Sequence, residues 1–139
     1  MPVTSSRSSV KRWPSPDQVL GAAEAWARRL AAATPTVVAV GCIGSYARGD
    51  AGVGSDLDLV VVRADGVPIP DLLGADVDAL PVPTDVLHYT TRELERVLAQ
   101  DGRMARVLRH EARFFVRDFA AGVNLAYAND TGANAALGP

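Results

Sequence analysis

Apolar and polar positions along the chain change period several times, and each change marks an element. Val19, Ala23, Trp26 and Leu30 recur at helical spacing behind Ser15-Pro16-Asp17, which offers an N-cap, a proline at the first helical position and an acid in the first turn. That helix should end near Thr34-Pro35. Thr36 to Val40 is a β-branched run, predicted as a buried strand that enters Gly41 and a turn at Gly44-Ser45. A short helical segment from Tyr46 and a glycine-punctuated loop from Gly49 to Gly54 come next. Leu57 to Val62 reads as a second strand and Thr84 to Tyr89 as a third. Between them, Ala64 to Pro83 is a connection with one helical turn near Asp71 to Gly74.

Thr90-Thr91-Arg92-Glu93 has the form of a capping box, opening a helix whose apolar face is Leu94, Val97 and Leu98. A second helical stretch, Arg103 to His110, leads into Arg113 to Arg117, a short edge strand. The predicted fold class is α/β (α+β): a small mixed sheet backed by helices on one face. Residues 1–14 and 128–139 read as polar, flexible tails flanking one domain over 15–127.

Composition narrows the classes. The 139 residues suit a single core, with 48% hydrophobic and 22% charged positions. No apolar run reaches the roughly 20 residues of a membrane-spanning helix. Met1 to Lys11 has no apolar stretch after its basic residues, so no secretory signal is expected. A net charge of −2 argues against a broad nucleic-acid surface. Cys42 is the sole cysteine, which rules out an internal disulfide and fits a reducing, cytoplasmic setting.

The chemistry concentrates in Gly44-Ser45-Tyr46-Ala47-Arg48-Gly49-Asp50 and, a short step later, Asp56-Leu57-Asp58. Asp56 and Asp58, two apart at a strand start, leave the sheet on one face about 6–7 Å apart. Carboxylates so placed suit a hard divalent cation that keeps water and substrate phosphate as its other ligands. Gly44 lets a phosphate approach the backbone, Ser45 adds a hydroxyl, and Arg48 lies one turn on as a charged donor. Each piece also has a plainer role: a solvated strand end, an ordinary strand-to-helix turn, an arginine paired with a carboxylate. Asp85, in the third strand, is the candidate for a third carboxylate beside the pair, with Asp78 as the competing position. His88, His110 and Cys42 lack neighbours at metal or nucleophile spacing and read as structural.

Gly44 to Gly49 followed by Ser55-Asp56-Leu57-Asp58-Leu59-Val60 resembles the signature of the DNA-polymerase-β-type nucleotidyltransferase superfamily, closest in form to its minimal nucleotidyltransferases. The resemblance implies a polymerase-β palm-like fold with an open cleft. It also implies that Gly44 and Ser45 hold the phosphates of a nucleoside triphosphate such as ATP. Asp56 and Asp58 would bind Mg²⁺, and Asp85, matched by position alone, would ligate metal and activate the acceptor hydroxyl. Two Mg²⁺ ions would flank the transferred group while pyrophosphate leaves. Similar small proteins pair as antitoxins with a helical HEPN-type toxin, and a partner or a homodimer would complete the site of so short a chain. The expected function is transfer of a nucleoside monophosphate, AMP first, to a hydroxyl on a protein partner. The alternatives are a non-catalytic nucleotide-binding or toxin-neutralising module, and a small-molecule transferase of the antibiotic-modifying type, for which Asp65, Asp71, Asp76 and Asp78 would line an acidic pocket.

Overall fold

The computed structural model describes residues 12–66 and 77–117. The helical turn predicted near Asp71 to Gly74, most of the N-terminal tail and all of the C-terminal tail lie outside them.

Helix α1 spans Pro16–Ala33 and starts as its sequence dictates. The Ser15 hydroxyl accepts from the Gln18 amide at 3.1 Å, and the Gln18 side chain accepts from the Ser15 amide at 2.8 Å. Its buried stripe is Val19, Ala23, Trp26, Ala27 and Leu30. Trp13, just ahead of the helix, packs against the same cluster.

Among the described residues four strands follow: β1 (Val37–Ile43), β2 (Leu57–Arg63), β3 (Thr84–Thr90) and β4 (Arg113–Arg117). They lie in the order β3-β2-β1-β4. β1 runs antiparallel to both β2 and β4, while β2 and β3 are parallel, so the sheet is mixed. β4 is an edge strand, as expected. Its approach to β1 depends on Gly41. A Cβ there would stand 2.5 Å from the Arg113 carbonyl oxygen and 2.8 Å from Phe114 Cδ1, at a point where the register shifts by a bulge. β1 therefore continues through Gly41 to Ile43, three residues beyond its β-branched run.

Two central strands buried along nearly their whole length need cover on both sides. Val40, Cys42, Leu57, Leu59 and Val61 pack with the α1 stripe. Ile43, Val60 and Val62 pack with Leu94 and Leu98 of α3 (Thr91–Ala99) and with Leu108 and Ala112. The mixed sheet is the predicted one, but its helices lie on both faces, where cover on one face was expected. The physical reason lies in the packing of β2: Val60 and Val62 are buried on the same side as Asp58, so only the Asp58 end of that face is left open. Burying side chains of this size stabilises by about 1.5–3 kcal/mol each, which places α3 over that face.

α3 carries the predicted capping box in full. Thr90 Oγ1 accepts from the Glu93 amide at 3.1 Å, and Glu93 Oε1 accepts from the Thr90 amide at 2.8 Å. After α3 come one turn, α4 (Arg103–Arg106), and a π-helical turn, Val107–Glu111, closed by the Ala112 amide on the Val107 carbonyl at 2.9 Å.

Candidate active site

The end of β1 and the start of β2 meet at an open cleft of about 640 Å³, within the range of small-molecule sites. One wall is Ile43, Gly44, Ser45 and Arg48, where β1 turns into the single-turn helix α2 (Ser45–Arg48). Asp56 and Asp58 form its floor. The opposite wall, Arg103, Met104, Val107 and Glu111, comes from α4 and the π-turn.

Gly44 sits at φ 81° and ψ −156°, backbone that side chains strongly disfavour. It is also pressed against an acid, because a Cβ at Gly44 would lie 2.9 Å from Asp58 Oδ2. Asp58 thus occupies the space that a side chain at this position would need, which accounts for the glycine. Beneath them, buried Tyr46 donates its hydroxyl to the Ser55 carbonyl at 3.3 Å, and Ser55 Oγ accepts from the Gly52 amide at 2.9 Å. The loop between α2 and β2 is tied to the turn, so the spacing from Ser45 to Asp56 is held by contacts as well as by chain length.

The parallel pairing of β2 with β3 puts Asp85 directly beside Asp58. Strand partners carry their side chains on one face, so Asp85 shares the face of Asp58, while Asp56 precedes the strand; Asp56 and Asp85 are exposed and Asp58 is partly buried. Burial, then the neighbouring Asp85 and Asp56 charges, push Asp58 above the ordinary carboxylate range. Asp85 stands outside the cleft lining, at its β3 side. Asp78, the competing position, is exposed in the loop before β3 and faces a separate hollow with Leu80, Pro81 and Val82.

An all-oxygen donor set whose members repel one another fits a hard divalent cation, which removes that repulsion. Among the described residues no three His, Cys, Asp or Glu converge as a preformed metal cluster.

Arg48 is half-exposed and engaged by two carboxylates. Its Nε lies 3.3 Å from Asp50 Oδ2 and its Nη1 3.4 Å from Glu111 Oε1. Its plainer role, a carboxylate pair, is therefore present, and its Nη2 remains for a ligand in the cleft it lines. Glu111 and Arg103 are the cleft residues that sequence reasoning missed. Their shared wall has a spacing of four, Arg103, Val107, Glu111, but the predicted helix stopped at His110, and nothing local ties Glu111 to a turn 67 residues earlier. Cys42 is buried away from the cleft, its thiol pushed up to about 11 by that burial, in keeping with a small core residue. Asp65 caps α3, accepting from Thr91 Oγ1 at 2.9 Å and from the Arg92 amide at 3.2 Å, so it is structural.

No helix among the described residues is long and apolar enough to cross a membrane. Among curated protein sequences none matches the chain. Among solved structures, the fold is similar to that of a toxin–antitoxin with AMP-PNP, at a TM-score of 0.50 and 17% identity over 88% of this chain and 90% of that one. A Sulfolobus solfataricus protein assigned to the nucleotidyltransferases aligns at a TM-score of 0.47 and 20% identity, over 71% and 80% of the two chains. Residues 24–112, from the middle of α1 to the end of the π-turn, match the model of the nucleotidyltransferase domain, so the turn, the paired acids, Asp85 and Glu111 all fall within it. The chain belongs to the nucleotidyltransferase domain family, and its reaction class is nucleotidyl transfer.

Proposed function

We propose that the chain transfers AMP from ATP, in a Mg²⁺-dependent reaction, to a hydroxyl on a protein partner. The observation that carries this reading is the close approach of Asp58 to the Gly44 turn, which leaves no room for a side chain there, with Asp85 in register beside Asp58. Gly44, Ser45 and Arg48 share one cleft with Asp56 and Asp58, and Asp58 is raised by burial and by the charges of Asp85 and Asp56.

Gly44 and Ser45 would seat the outer phosphates, and Arg48 Nη2 would add a charged donor. Asp56, Asp58 and Asp85 would hold up to two Mg²⁺ ions. Bound there, the metal supplies charge stabilisation at the α-phosphorus and at the departing pyrophosphate. Asp85, exposed on β3 beside Asp58, would accept the proton of the acceptor hydroxyl as its oxygen attacks and the bond to pyrophosphate breaks. Arg103, on the opposite wall, is a second cation available to phosphate oxygens.

A protein acceptor is favoured over a small one for two reasons. A solved structure of similar fold is a toxin–antitoxin with AMP-PNP, which supports an antitoxin role for this chain, and a HEPN-type toxin is the partner we propose. A small cationic acceptor would want an acidic pocket, yet Asp65 is spent on capping α3 and Asp78 faces elsewhere, while Asp71 and Asp76 lie outside the described residues. A homodimer or the toxin itself would close the open side of the cleft, and the reaction would take place in the cytoplasm.

The test is incubation with each α-labelled nucleoside triphosphate, Mg²⁺ and a cell lysate, followed by separation of protein, nucleic acid and small molecules. Label from ATP in the protein fraction is expected. Label confined to small molecules or nucleic acid would overturn the protein acceptor, and label from another nucleotide would overturn the adenine preference. No incorporation into any fraction would favour a neutralising module that acts by binding alone.

A further inference from the structure

Glu111 reaches across the cleft from the π-turn. Its Oε2 accepts from the Gly44 amide at 2.8 Å, and its Oε1 lies 3.4 Å from Arg48 Nη1. The same carboxylate therefore grips the strained residue that abuts Asp58 and the arginine one turn later. Its side chain is only 20% exposed, so it is a fixed part of the wall. The π-turn is what brings it there, since an i→i+5 turn advances the last residues of the segment relative to a regular helix, and such turns recur at functional sites.

We infer that Glu111 is a positioning residue for the triphosphate: it locks the Gly44 turn against Asp58 and aims Arg48 into the cleft. This rests on the nucleotidyl-transfer reading above. Arginine has five donors in a planar fork. With Nε on Asp50 and Nη1 on Glu111, the guanidinium plane is defined and Nη2 is left for a phosphate oxygen. Without Glu111 the arginine keeps only its exposed contact to Asp50, and the Gly44 amide loses its acceptor. Glu111 then couples the α4 wall to the phosphate-facing turn, although it need not touch the nucleotide.

The experiment is calorimetric titration of the full chain with Mg²⁺ and α,β-methylene ATP, a triphosphate that cannot be cleaved at the α-phosphorus. Wild type, Glu111→Ala, Glu111→Gln and Leu108→Ala are compared, each well below its melting temperature. Glu111→Ala is expected to weaken binding about tenfold or more, the range for losing a charge-assisted hydrogen bond. Glu111→Gln keeps an acceptor for Gly44 but not the charge that steers Arg48, and should fall between. Leu108→Ala opens the core beneath the same turn, so it should lower the melting temperature more than Glu111→Ala does while keeping the nucleotide affinity. In the transfer assay the Glu111 loss should appear in KM more than in kcat. Wild-type or tighter binding by Glu111→Ala would overturn the inference, as would an equal loss in Leu108→Ala, which would make Glu111 merely structural. A wild type that binds no analogue would sink the nucleotide reading itself, and this inference with it.

Discussion

Replacing Asp58 with asparagine is expected to lower nucleotidyl transfer by at least about a thousandfold, the scale of several kcal/mol that a metal contributes to charge stabilisation. The folded chain should be no less stable for the change. Asp58 is the innermost of the three carboxylates, and burial together with Asp85 and Asp56 raises it above the usual range. A raised carboxylate opposes folding at neutral pH, since its ionised form is worse off in the fold than in the open chain. Asparagine keeps the shape and removes that charge. Activity and stability should therefore move in opposite directions, and paired transfer and thermal-unfolding measurements read both. A variant that loses activity and melting temperature together would make Asp58 a structural residue.

Gly44→Ala tests the other half of the motif. Its backbone at φ 81° and ψ −156° costs a side-chain-bearing residue about 1–3 kcal/mol, roughly 4–12 °C in melting temperature for a domain of this size. The new methyl would also meet Asp58 Oδ2 at 2.9 Å, so one of the two must shift. Whichever moves, either the turn held by Glu111 or the carboxylate leaves its position, and transfer should fall with stability. Here the two measurements decline together, in contrast to Asp58→Asn. An alanine variant with wild-type melting temperature and activity would show that the turn relaxes freely and that its contact with Asp58 is immaterial.

Much of this was legible in the chain because it is local. Ser15 as an N-cap and Thr90 with Glu93 as a capping box announce their helices through neighbouring residues; the Thr90 box forms, and at Ser15 the Gln18 side chain completes a second one. The Gly44-Ser45 turn and the alternation of Asp56, Leu57 and Asp58 depend on spacings of one or two residues and survive folding intact. Asp85 is the candidate to stand beside Asp58 if the next strand in sequence is also its neighbour, with Asp78 competing; the β2–β3 pairing supplies that neighbour.

What was not legible is long-range. The cover on both sheet faces follows from Val60 and Val62 needing partners, which only the packing of α3 and Leu108 supplies. The extension of β1 through Gly41 reflects the close approach of Arg113 and Phe114, more than seventy residues later. Glu111 and Arg103 became cleft residues because a π-turn ends the helical segment at the mouth of the site, and the predicted helix carried no sign of that irregularity.

The most direct test of a shared metal and nucleotide site uses Mn²⁺ in place of Mg²⁺, followed by its electron paramagnetic resonance signal as it binds. With α,β-methylene ATP present, wild type is predicted to bind Mn²⁺ markedly more tightly than without it, and Asp58→Asn to lose that enhancement. Equal Mn²⁺ binding by the two proteins, or binding indifferent to the nucleotide, would contradict the account.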